Sequence, residues 1–135
     1  MNSDRLSAYA PQALAVLRIV AALLFIAHGS QKLFGFPAAE FSPPLFSLFG
    51  LAGLIEVVGG ILVLIGFQTR IAAFIMSGTM AVAYFMVHAP GSFFPTNNGG
   101  DAAILFCFVF LYLVFAGPGA WALDTRGKAL RTSAA

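Results

Sequence analysis

The chain has 135 residues, of which 60% are hydrophobic and 9% charged, with a formal net charge of +2. Soluble domains carry about 25% charged residues, so a soluble fold built from this chain would have no polar coat, and a membrane protein with several spans is expected. The small net charge gives no footing for nucleic-acid binding. The lone cysteine, Cys107, excludes an internal disulfide, a CxxC dithiol and a thiolate metal cluster.

Residues 1–11 form a polar tail with Asp4, Arg5 and Pro11. The apolar run that follows carries Arg18 and closes on His28 to Lys32 without a small-residue cleavage site, so it is read as a span rather than a signal peptide. This first span covers residues 12–34 and has the length a bilayer core requires. Arg18, Phe25 and Lys32 recur every seven residues, and Ala21, Ala22, His28 and Gly29 fall on the same side. That polar and small stripe should face protein, leaving most leucines and isoleucines to lipid.

Pro37, Pro43 and Pro44 break the chain before a second span at 45–67. Within it, Glu56 sits near the middle of the apolar run from Leu51 to Phe67. A charge at the bilayer centre costs roughly 2.5–3.5 kcal/mol on insertion scales, so such a residue faces protein, pairs or takes up a proton. Gly53, Glu56 and Gly60 share one helix face, where glycines let another backbone approach.

A polar turn at Gln68-Thr69-Arg70, with Thr69 as a candidate helix cap, leads to the third span, 71–88. Residues 89–100 form a loop of turn formers. Asp101 opens the fourth span, 101–116, where a carboxylate suits the helix dipole. Gly117-Pro118-Gly119 ends it, and Trp121 stands where an interfacial indole belongs. The expected architecture is all-α: one membrane domain over residues 1–135, an antiparallel bundle of four transmembrane helices joined by short loops. Arg5, Arg70, Arg126, Lys128 and Arg131 fall on one side, which places both termini in the cytoplasm of a plasma (inner) membrane protein.

Taken in order, these features resemble the DoxX family of small integral membrane proteins. The resemblance rests on His28-Gly29 with Lys32-Leu33, on Gly53-Leu54-Ile55-Glu56 with Gly59-Gly60, on Asn97-Asn98-Gly99-Gly100-Asp101, and on Gly117-Pro118-Gly119 followed by Trp121 and Leu123-Asp124. It covers nearly the whole chain and implies a four-helix inner-membrane protein. Founding members resemble subunits of thiosulfate:quinone oxidoreductase or quinol oxidase systems, and others are linked to membrane thiol and oxidative-stress complexes. Quinone is the cofactor this implies, with soluble redox proteins or sulfurtransferase-type proteins as partners.

The candidate ligand-binding residues are Arg18, His28, Lys32 and Glu56. By helix rise, Glu56 lies roughly 16 Å from the outer end of its span. Arg18, always cationic, is the expected partner of Glu56, with His28 the alternative. Lys32 either snorkels to headgroups or joins His28 in holding a polar head such as a quinone carbonyl. His88 is placed at the water boundary, and no metal site is expected. Arg70 and Asp124 are expected on one side, pairing or meeting headgroups. The favoured reading is a redox-associated subunit that binds quinone through this cluster. The alternative is a non-enzymatic scaffold or a lipid- or small-molecule-binding module, and a transporter is a third, weaker reading. Catalysis by the chain itself is left open, as is homo-oligomerisation through its glycine faces.

Overall fold

The computed structural model describes residues 3–135. The described residues are helical, without a strand: α1 (Ser3–Ser7), α2 (Ala10–Phe34), α3 (Leu48–Ile65), α4 (Thr69–Ala83), α5 (Pro95–Asn98), α6 (Asp101–Ala116) and α7 (Leu123–Ser133). A π-helical turn, Tyr84–His88, and a 3-10 turn, Ala89–Gly91, continue α4. By length and composition, α2, α3 and the 69–91 segment can each cross a membrane, while α6 is a shorter apolar helix. The 16 residues of α6 span about 24 Å, against about 30 Å of hydrocarbon.

Helix ends follow local chemistry. The segment before α3 stays out of the helix because Ser47 caps it, its Oγ accepting the Gly50 N–H at 3.1 Å. The helix therefore begins three residues later than the span read from the sequence. Gly66 ends α3 in the left-handed conformation (φ 69°), where glycine has no Cβ penalty. The start of α4 corrects the expectation for Thr69: that residue lies inside the first turn, and the capping carboxylate belongs to Asp124. Asp124 Oδ1 accepts the Gln68 N–H at 2.9 Å and Oδ2 the Thr69 N–H at 3.0 Å.

α2 packs on α3, α3 on α4 and α4 on α6, and α2 touches α6. The core between them holds Phe25, Met76, Phe110 and Leu113. Phe25 meets Phe110 edge-on at 4.9 Å between ring centroids. The α2–α3 contact is backbone-close. A methyl on Gly29 would lie 2.8 Å from the Gly53 carbonyl oxygen, and one on Gly53 would lie 2.9 Å from Lys32 Cβ. Gly60 meets Ile26 and Ala22 in the same way. Partners descend along α2 as they ascend along α3, so these two helices run in opposite directions. Outward faces carry Leu23, Leu24, Leu54, Ile75 and Phe108, an apolar exterior that lipid, not water, solvates.

Candidate functional site

Antiparallel pairing determines which cation meets Glu56. Helical side chains lean toward the start of their own helix. Lys32, near the end of α2, leans back along α2, and Glu56 leans toward the start of α3. On opposed helices these two directions converge. Lys32 Nζ donates to Glu56 Oε1 at 2.5 Å. Glu56 is 1% exposed and Lys32 27%. Glu56 Oε2 is buried with no hydrogen-bond partner among the described residues.

Arg18 corrects the expected pairing. It leans toward the other end of α2 and is fully buried there. Its Nη1 donates to the carbonyls of Pro118 and, at 3.0 Å, Ala120, and its Nη2 to that of Trp121 at 2.9 Å. The planar fork of a guanidinium suits this bend of carbonyls better than an ammonium could. Arg18 therefore anchors the segment after α6 and does not reach the carboxylate one helix away. Backbone bonds complete the anchor: the Ala120 N–H donates to Pro11 O at 3.0 Å and the Asp124 N–H to Gly66 O at 2.9 Å. Burial alone would lift the Asp124 carboxyl, but hydrogen bonds from Thr69 and Gln68 and the charge of Arg18 outweigh it and hold it below the usual carboxylate range. Arg70 does not pair with Asp124 either. It donates to Val114 O at 2.6 Å and Phe115 O at 2.7 Å, at the end of α6.

The Lys32–Glu56 pair opens onto a cavity of about 700 Å³ bounded by α2, α3, α4 and α6. Its walls are largely apolar, with Phe25, Ile55, Met80 and Phe106 among them, and His28 and His88 also face it. The His28 ring stands edge-on to Phe106 at 6.0 Å, and His28 itself is exposed. Thus the structure brings together His28, Lys32 and Glu56 and separates Arg18 from them. It also adds His88, which is half-buried. His88 Nδ1 lies 3.1 Å from Asn98 O. A carbonyl only accepts, so Nδ1 carries the proton of this hydrogen bond. The π turn that ends α4 turns Met86, Val87 and His88 onto the wall. Such turns are not visible in hydropathy, and they often occur at functional sites.

An apolar cavity with a few convergent polar groups is the usual form of a small-molecule site. The helices and this site define a membrane-embedded protein with a buried carboxylate, paired to a half-buried lysine, at a ligand-sized hollow. The chain belongs to the DoxX family, whose profile matches residues 13–89. It is similar to an uncharacterized protein of Haemophilus influenzae, 47% identical over 133 residues, covering 91% of this chain and 96% of that one. An uncharacterized membrane protein of Mycobacterium tuberculosis is 30% identical over 142 residues, 90% of this chain and 85% of its own. The inner membrane protein YqjF of Escherichia coli is 30% identical over 122 residues, 81% and 87% respectively. No solved structure matches the chain.

Proposed function

We propose that this chain is a redox-associated subunit of the inner membrane that binds the head of a quinone in the cavity beside Lys32 and Glu56. In this reading its helices form an antiparallel four-span bundle, residues 1–135 make one domain, both termini are cytoplasmic, and the Lys32 end lies in the outer half of the bilayer. The observation that supports it is Glu56 Oε2: a carboxylate oxygen buried without a partner among the described residues, on a residue lining a largely apolar hollow. An unpaired acceptor of this kind is costly unless a donor reaches it. A quinol hydroxyl is such a donor, Lys32 can donate to a quinone carbonyl, and aromatic walls suit the ring. His28 and His88 offer further hydrogen-bonding nitrogens. Electrons come from a partner protein, because this chain has one thiol and no dithiol.

Extraction of the protein purified in mild detergent, with mass spectrometry of the extract, tests the reading. We expect near-stoichiometric quinone with the natural sequence and loss of most of it in Glu56→Gln, with the fold retained. Phospholipid alone, or quinone retained equally by Glu56→Gln, overturns it.

The close approach of Gly29 and Gly53 favours a second reading, in which the ion pair clamps α2 to α3 in a non-enzymatic scaffold. That reading expects stability, not quinone content, to follow the pair.

A further inference from the structure

A second cleft, of about 520 Å³, opens at the opposite end of the molecule, between the start of α4, the end of α6 and the start of α7. Arg70, Asp124 and Lys128 line it. Arg70 commits Nη1 to the carbonyls of Val114 and Phe115. A guanidinium holds five N–H donors in a rigid fork, so those two bonds orient it and leave Nε and Nη2 to another acceptor. Lys128 has no carboxylate partner among the described residues. Asp124 is already engaged by two backbone N–H groups. The cleft therefore holds two cations and one satisfied anion, a net charge that a single phosphodiester balances.

We propose that this cleft seats the phosphate of an anionic phospholipid. Arg70 and Lys128 bind the phosphate oxygens, and the acyl chains run along α4 and α6. Ile71 lines the cleft, and Ile71, Phe74 and Phe115 are exposed beside it, presenting an apolar wall that an inorganic ion has no use for. The next helix fits a lipid surface too. Leu123 and Leu130, both exposed, lie seven residues apart on one side of α7, with Arg126 and Arg131 flanking that stripe at helical spacing. A choline group brings its own cation and leaves the net charge of Arg70, Lys128 and Asp124 unbalanced, so a headgroup without a cation, such as phosphatidylglycerol, is preferred to phosphatidylcholine.

The test is native mass spectrometry of the full chain in detergent with equal phosphatidylglycerol and phosphatidylcholine. Each basic side chain near an anionic headgroup is worth about fivefold in retention. We expect phosphatidylglycerol adducts to predominate, to fall about fivefold in Lys128→Gln, and to survive added inorganic phosphate. The Lys128 side chain has no hydrogen-bond or ion-pair partner among the described residues, so this variant keeps its fold even if Arg70→Gln does not. Equal retention of the two lipids, no change in Lys128→Gln, an equal fall in Arg5→Gln, or displacement by inorganic phosphate would each overturn the proposal.

Discussion

Lys32 and Glu56 meet across α2 and α3 with unequal burial: the lysine side chain keeps 27% exposure and the glutamate side chain 1%. The consequences of breaking the pair are therefore unequal. Lys32→Met strands a buried carboxylate and should cost about 3–5 kcal/mol. Glu56→Gln frees a lysine that can reach the surface, and its cost should be smaller, about 1.5 kcal/mol. The double variant should recover part of the larger loss. Thermal unfolding in detergent across the cycle gives the order; a larger loss in Glu56→Gln would contradict it.

Arg18 should act on the opposite end of the molecule. Arg18→Met uncovers the carbonyls of Pro118, Ala120 and Trp121, at about 2–4 kcal/mol. Arg18→Lys should restore little, since an ammonium lacks the fork. Hydrogen exchange should rise over residues 117–126 in both variants and stay unchanged around Lys32 and Glu56.

Close packing makes a third contrast. Gly29→Ala drives a methyl toward the Gly53 backbone, which cannot move aside, and overpacking of this kind costs about 1–3 kcal/mol. Gly78→Ala meets open space and should be neutral or gain up to about 1 kcal/mol of helix propensity. Parallel melting curves for the two variants check the prediction.

Asp124 makes the α4 and α7 junction sensitive to acid. Its folded carboxyl sits below the unfolded value of about 3.9. Between those values the unfolded chain binds more protons, so the contribution is complete above about pH 4 and is lost as pH falls through the folded value. Asp124→Asn should remove this acid step. Trp121, the single tryptophan, lies three residues away and can report it by fluorescence.

By itself the sequence determined that the chain is helical and membrane-bound, because apolar run length and the scarcity of charge are local properties. It also marked Glu56 as an odd carboxylate on a glycine-bearing face, placed His28 and Lys32 one turn apart, and carried the DoxX motifs. It did not decide which cation Glu56 meets, since Arg18 and Lys32 lie on one stripe of α2 and periodicity treats them alike. That choice came from tertiary structure. Gly29 against Gly53 sets the level of α3 on α2, and opposed helices lean Lys32 toward Glu56 while Arg18 leans away to the carbonyls after α6. His88 likewise joined the cavity only through the π turn, because a change in helical register depends on what the helix packs against, not on hydropathy.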